Sequence, residues 1–234
     1  MSPTVSIVLP AYNEEAMLRA TVDELVAGMR DRSIDFEILI EENGSTDSTQ
    51  QVGETLAAAH DEVRFEHTAR ADYGRALRQG LLNATGGVVV NFDVDYYDLG
   101  FLDAAVPLVS GGAASIVVGS KRSAGAQDER PPLRRLVTAV FATLLRIGFG
   151  LKVSDTHGMK ALDRAVTGPL AERCVLGTDL FDTELVLRAE RAGVVVAELP
   201  VRVEERRPAR SSVVRRIART LVGLVKLRRA LRAG

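Results

Sequence analysis

Asp93, Asp95 and Asp98 follow an apolar run in GGVVVNFDVDYYD, and their spacing is the plainest chemical signal in this 234-residue chain. Alternation along an extended segment sends Asp93 and Asp95 to the same side, so two carboxylates can aim at one place. Like charges that close repel, and in an apolar setting one would take up a proton unless a cation lay between them. A divalent cation with a preference for oxygen, Mg2+ or Mn2+, meets that need, and Mg2+ commonly combines one or two protein carboxylates with ligand phosphates. The competing reading is a polar turn closing a buried strand, since an Asp-x-Asp also arises by chance. The cluster EENGSTDST (41–49) is equally two-sided. Asn43-Gly44 permits the positive φ of a tight turn and Ser45, Thr46 and Asp47 suit a helix N-cap, so a capped helix entry explains the cluster as well as a ligand loop does. Asp98 reads as an N-cap for the next helix.

Other chemistries find little footing. His60, His67 and His157 lack metal-ligand spacing, which argues against zinc. No Gly-x-Ser-x-Gly, Gly-x-Gly-x-x-Gly or Gly-x4-Gly-Lys-Ser/Thr occurs, which argues against an elbow nucleophile, a dinucleotide cofactor and a P-loop. Cys174 is the single cysteine, so no intrachain disulfide can form. The opening MSPTVSIVLPAYNEE has no basic stretch followed by a long apolar one, and a cytoplasmic location is expected. The nearest approach to a spanning segment, LVTAVFATLLRIGFGL (136–151), carries Arg146 and two glycines, so no transmembrane helix is expected.

The elements that must position the aspartates alternate regularly. Short apolar strands at 4–10, 36–40, 63–67 and 88–92 alternate with amphipathic helices at about 14–30, 47–59 and 73–84. That order predicts one α/β unit with a parallel sheet covered on both faces. Ligands of such sheets bind beyond the carboxyl ends of the strands, where AYNEE, EENGSTD and DVD all fall. Further on, a helix is expected over 102–109, a strand over 115–120 and a polar, mobile loop in KRSAGAQDERPP. LRRLVTAVFATLLRIGFG reads as a helix of about four turns, SDTHGMKAL leads into a helix near 163–172, and another spans 181–192. Two short strands, VVVAEL and VRVEE, follow.

Hydrophobic residues make up 46% of the chain and charged ones 26%, an ordinary globular balance. The net charge of −1 conceals a division: residues 206–234 hold ten cations and no acid, leaving 20 cations against 31 acids in residues 1–205. Helical projection of the tail gathers Val214, Ile217, Ala218, Leu221, Val222, Leu224 and Val225 on one half and Arg215, Arg216, Arg219 and Lys226 on the other. Such a helix can lie on an anionic membrane surface or pack on its own domain, and both readings stand. Nucleic acid is not an expected partner, because no aromatic residues interleave the basic ones.

VSIVLPAYNEE, ENGSTDST, YGRALRQGLLNATGG and NFDVD, in this order, resemble the family 2 glycosyltransferases. GSKR, the long apolar helix, KVSDTHGMKALDR, TDLFDTELVLRAERAG and VAELPVRVEERRPARSS resemble its branch of dolichyl-phosphate mannose synthase and bacterial polyprenyl-phosphate sugar transferases. The resemblance covers about 4–215 and implies the GT-A fold, a mostly parallel central sheet with helices on both faces and no transmembrane helix. It divides the chain into one domain over 1–211, with a nucleotide-binding half (1–98) and an acceptor half (99–211), and a basic amphipathic helix over 212–234.

The resemblance implies that Pro10, Ala11, Tyr12 and Glu14 meet the base and ribose, with Glu42, Asn43, Ser45 and Asp47 in the second loop, Gly74 in the third and Asp93, Val94 and Asp95 at the diphosphate. Asp93 and Asp95 become the metal ligands. The family's usual Asp-Asp of the second loop is Glu42-Asn43 here; an amide matches the one donor and one acceptor of uracil, which leans the donor from GDP toward UDP. The usual Gly-Lys of the third loop is Asp72-Tyr73. Lys121 matches an arginine near the phosphates and Arg135 one near the acceptor.

The implied reaction is an inverting, metal-dependent transfer from a nucleoside-diphosphate sugar. If the acceptor is a polyprenyl phosphate, no general base is needed, and Lys121, Arg122, Arg134, Arg135 and Arg206 are the candidate cations, with Ser211 beside them. If it is a hydroxyl, Asp179, Asp182 or Glu184 must act as base. The lipid phosphate is favoured, with the protein peripheral on the inner face of the membrane. A soluble hydroxyl acceptor and a catalytically silent nucleotide-sugar-binding paralogue are the alternatives.

Overall fold

A computed structural model describes residues 4–129, 131–203 and 213–232. Its core is a seven-stranded sheet of order β3-β2-β1-β4-β7-β5-β8. The strands are β1 (Val5–Ala11), β2 (Phe36–Asn43), β3 (Val63–Thr68), β4 (Val88–Asn91), β5 (Ile116–Ser120), β7 (Lys160–Asp163) and β8 (Val196–Pro200). A separate two-residue ladder joins β6 (Gln127–Asp128), inside what the sequence suggested was a polar, mobile loop, to β9 (Arg202–Val203), in the expected strand VRVEE. The helices are α1 (Leu18–Asp31), α2 (Thr49–Ala59), α3 (Tyr73–Asn83), α4 (Leu99–Ser110), α5 (Pro132–Phe149), α6 (Arg164–Arg173), α7 (Phe181–Arg191) and α8 (Val213–Ala230).

β1, the start of β2 and β4 are nearly continuous apolar runs because both faces of the sheet are covered there, whereas edge strand β3, VRFEHT, is only partly buried. In β1, Val5, Ile7, Leu9 and Ala11 join a core shared with α1 and α4, while Val8 faces the other way into a core shared with α3, α6 and α7. Helix α4 begins at Leu99 because Asp98 caps it, its carboxylate accepting the Gly100 N–H at 2.7 Å, as the sequence suggested. Helix α1 begins later than expected, since residues 13–17 form a turn with Asn13 at φ 55°.

The main departure lies in SDTHGMKAL. Its last residues form β7, antiparallel to both β4 and β5, in an otherwise parallel sheet. Four residues with a lysine among them carry no strand period, and a lysine in a buried strand needs a partner that sequence cannot display. That partner is Asp182.

The C-terminal half of α8 packs on the domain. Leu227 is wholly buried, Leu224 and Leu231 lie against a cluster containing Leu145, Val186 and Leu187, and Arg188 Nη2 donates to the Ala230 carbonyl at 3.0 Å. Val222 and Val225, expected on the apolar face, remain exposed. The side chains of Val214, Ile217, Ala218 and Leu221 lie outside the described residues. Among the described residues, no helix is long and apolar enough to cross a membrane.

One strand residue sets a pH dependence. Glu41 of β2 is buried, and its Oε1 has no hydrogen-bond partner. Burial first, then the charge of Glu66, push its carboxyl from an ordinary 4.5 up to about 7, against the pull of Arg64 and Asn83. A raised acid binds its proton more tightly in the folded state, so stability is highest at low pH and falls as pH rises from the unfolded value through about 7. The loss is at most about 3 kcal/mol by proton linkage. Glu41→Gln is expected to raise the urea midpoint at pH 8 and leave it nearly unchanged at pH 5; equal shifts at both would refute the assignment.

Candidate functional site

The three polar loops do converge beyond the carboxyl ends of β1, β2 and β4, and the first two are bonded to each other. Asn13 N–H donates to Ser45 Oγ at 2.9 Å, Glu14 N–H to Thr49 Oγ1 at 2.7 Å, and Thr46 N–H to Asn13 Oδ1 at 2.8 Å. Asp47 accepts from the Thr49 N–H at 3.0 Å and from the Glu15 N–H at 3.4 Å. Ser45 and Asp47 therefore hold the first loop in place. Gly44 turns the second loop at φ +70°, and a Cβ there would lie 2.9 Å from the Ala71 nitrogen.

Glu42 and Asn43 are both buried. Asn43 Nδ2 donates to the Ala11 carbonyl at 3.0 Å, while Glu42 accepts the Ser45 N–H at 2.5 Å and pairs with His67 Nδ1. Pro10 and Ala11 are buried strand residues whose side chains face protein, and Gly74 lies in tight helix packing. Tyr12, just past the end of β1, is 39% exposed. Glu14 is half-buried beside it.

Asp93 and Asp95 do not sit on an extended segment. The backbone reverses over 93–96, with Asp93 N–H bonded to the Tyr96 carbonyl and Tyr96 N–H to the Asp93 carbonyl, each at 3.1 Å. Val94, at the bend, is buried, and its carbonyl accepts from Thr21 Oγ1 at 2.8 Å. The turn nevertheless keeps the two carboxylates within electrostatic reach. Burial, and secondarily the charges of Asp95 and Asp182, push the Asp93 carboxyl up to about 6, against a 2.9 Å hydrogen bond from the Tyr73 hydroxyl and the charge of Lys160. The excess negative charge is what a divalent cation would relieve, so the donor set fits one. Among the described residues no group of three or more metal-binding side chains gathers, so a cation there would depend on these two carboxylates and ligand oxygens.

Of the proposed acids and cations of the second half, Asp182, Glu184 and Lys121 have charged partners. Lys160 Nζ lies 2.8 Å from Asp182 Oδ1, both side chains almost wholly buried, and 2.8 Å from the Gly158 carbonyl. Glu184 is deeper still. It pairs with Arg188 at 2.8 Å and accepts the N–H groups of Val175 and Leu176 at 3.0 and 2.8 Å, so its oxygens are engaged inside the protein. Lys121 Nζ, at the end of β5, is 3.5 Å from buried Asp155. Arg122 and Arg135 are exposed. The side chains of Arg134 and Asp179, and residues Arg206 and Ser211, lie outside the described residues.

A model described as Glycosyl transferase family 2 matches residues 6–168. The chain belongs to glycosyl transferase family 2. It is 32% identical over 220 residues to the glycosyltransferase AglD of Haloferax volcanii, covering 91% of this chain and 35% of that protein. It is 28% identical over 213 residues to the dolichyl-phosphate beta-glucosyltransferase ALG5A of Trichomonas vaginalis, covering 86% of this chain and 66% of that one. The chain thus spans only part of these relatives. It is 33% identical over 210 residues to an uncharacterized glycosyltransferase of Mycobacterium tuberculosis, covering 89% of each. Among solved structures, glucosyl-3-phosphoglycerate synthase from M. tuberculosis with Mg2+ and UDP superposes with a TM-score of 0.68 at 22% identity, over 96% of this chain and 79% of that one. The likeness establishes the GT-A fold for this family 2 domain.

Lys160, Asp155, His67 and the contact of Tyr73 escaped sequence reasoning. None sits in a spacing with a chemical signature, and each matters only through a partner brought from far along the chain. For His67 the pairing has a measurable effect. Burial would raise the Glu42 carboxyl, but bonds from Ser45 and the pairing with His67 outweigh it and hold the group below its ordinary range. A depressed acid contributes stability at neutral pH that is lost as pH falls through the folded value. Glu42→Gln is expected to cost about 1.5–3 kcal/mol at pH 7, with the gap from the parent in urea unfolding narrowing only as pH falls below the ordinary carboxylate range. A gap independent of pH would sink this account.

Proposed function

We propose that this family 2 domain transfers a sugar from a nucleoside-diphosphate sugar to a polyprenyl phosphate at a membrane surface, with inversion and with Mg2+ or Mn2+ bound at Asp93 and Asp95. The observation that carries the acceptor class is the neutralisation of Asp182 and Glu184 by Lys160 and Arg188. A hydroxyl nucleophile needs a base able to take its proton, and these two carboxylates are already committed to cations, which leaves of the three candidates only Asp179, whose side chain lies outside the described residues. A phosphate is already anionic and requires only placement by cations. Lys121, with exposed Arg122 and Arg135, supplies such cations at the end of β5 and the start of α5.

Helix α5 supports a lipid rather than a soluble phosphate. Leu136, Val140, Leu144 and Ile147 are 58%, 52%, 39% and 83% exposed, and their spacing of four, four and three sets them along one helix face. Relatives named as dolichyl-phosphate glucosyltransferases favour the same class. Solved neighbours that hold UDP favour a uridine donor, with Tyr12 against the base and the oriented Asn43 amide near its edge. When bound, the cation would neutralise charge developing on the leaving nucleoside diphosphate. The chain's own part is to hold Asp93 and Asp95 at the turn and to set Lys121 beside the departing phosphates. Helix α8 would add basic residues at the same surface, beyond its docked end.

Thermal-shift measurements with UDP-, GDP- and dTDP-sugars and Mn2+ identify the donor, since stabilisation grows with the logarithm of concentration over affinity. The UDP-sugar is expected to stabilise the protein, and Asp95→Ala to abolish the shift and lower transfer at least about 100-fold. With the donor known, polyprenyl phosphate in anionic vesicles is expected to be glycosylated, and a soluble phosphorylated acceptor and hydroxylic sugars are not. Transfer to hydroxylic sugars alone would overturn the acceptor reading. Asp182→Asn is unsuited to this question, because it leaves Lys160 buried and unpaired, a loss of about 3–5 kcal/mol on its own.

A further inference from the structure

We infer that Tyr73 is a positioning residue for the cation: it holds one oxygen of Asp93 so that the other is presented to the metal. The inference rests on the donor and metal reading above. Tyr73 opens α3, and its hydroxyl donates to Asp93 Oδ1 at 2.9 Å. What makes this bond a built feature is how firmly the start of α3 is held. Asp72 Oδ1 accepts the Arg75 N–H at 3.0 Å as the helix cap and also accepts the Thr178 N–H at 2.6 Å. Thr178 is in the left-handed region at φ 52°, a conformation that a β-branched residue keeps only when its surroundings impose it. Gly74 fits beneath it without clearance, since a Cβ would lie 2.5 Å from the Thr178 oxygen. The first turn of α3 is therefore locked against the segment leading into α7, and the Tyr73 ring is aimed from a fixed base.

A carboxylate free to rotate can chelate a cation with both oxygens or turn away from it. One tied at a single oxygen offers the other in a defined direction, which suits the strict geometry of Mg2+ and Mn2+. The resemblance leads one to expect a lysine at position 73, which would meet a phosphate as a point charge. A tyrosine supplies no charge. The exchange removes a cation from the diphosphate and strengthens the hold on a metal ligand, so donor binding should depend steeply on the metal.

Mn2+ binding in the presence of UDP, followed by electron paramagnetic resonance on the full chain, tests this directly. Tyr73→Phe is expected to weaken Mn2+ about 10-fold or more, as losses of hydrogen bonds behind metal ligands commonly do. Its kcat at saturating Mn2+ should fall much less than its Mn2+ affinity. Tyr73→Lys is expected to bind UDP more tightly than the parent without metal, yet to remain weak for Mn2+. Tyr73→Phe with Mn2+ affinity within twofold of the parent overturns the inference, as does a lower urea midpoint and lower kcat with no change in Mn2+ affinity. If the parent itself binds no Mn2+ with UDP, the donor reading fails and takes this inference with it.

Discussion

A lysine ammonium with no access to water sits in the middle of this protein's sheet, and much else follows from the need to satisfy it. Lys160 is wholly buried in β7. An unpaired charge there would cost several kcal/mol, so Asp182 of α7 and the carbonyl of Gly158 must stay within reach. That requirement fixes β7 between β4 and β5, and with it the one antiparallel strand of the main sheet. It also fixes the entry of α7. The same ammonium lies in the field of Asp93, where three carboxylates, Asp93, Asp95 and Asp182, face one cation. The imbalance is left on the ligand side. Burial and like charge raise the Asp93 carboxyl to about 6, and a divalent cation bound there, as proposed above, would relieve that strain.

Around this centre, few of the expected ligand-binding side chains look out. Ser45, Asp47, Asn13 and Thr49 bind one another's loops, and Pro10, Ala11 and Val94 belong to the strand ends and the core. The motif residues of the first two loops are largely devoted to shape. In the proposed function they would contribute a rigid rim, with the Asn43 amide held by the Ala11 carbonyl and Tyr12 exposed beside it. Such rigidity lowers the conformational cost of binding, which accounts for polar residues that touch mainly each other.

The strand–loop–helix repeat of residues 4–92 was legible because β1, the start of β2 and β4 are apolar on both faces and the loops that follow them are polar at the same end. Asp98 as a helix cap was legible for a local reason, the hydrogen bond to a residue two positions on. What escaped was everything decided by a distant partner. Asp93 and Asp95 were read on an extended segment, but the cross-bonds to Tyr96 turn the chain back. Glu184 has the composition of a base, and only Arg188 together with two backbone N–H groups identifies it as internal. Strand β7 was hidden by the lysine that now explains it. Helix α8 carries the amphipathic pattern, yet among its described side chains Leu227 is buried while Val222 and Val225 are exposed, because the face that packs on the domain is not the one the helical projection gathered.

The seam between α3 and the start of α7 has an evolutionary consequence. Gly177 cannot carry a side chain, since a Cβ would fall 2.3 Å from the carboxylate of Asp72, and Gly74 is equally confined by Thr178. Asp72, Gly74, Gly177 and Thr178 are therefore interdependent characters: drift at one is tolerated only with compensation at the others. A lineage that once exchanged a cationic third loop for Asp72-Tyr73 would find the reversal blocked unless residues a hundred positions away changed with it. Divergence within the family would then proceed by whole constellations across this seam rather than by single replacements.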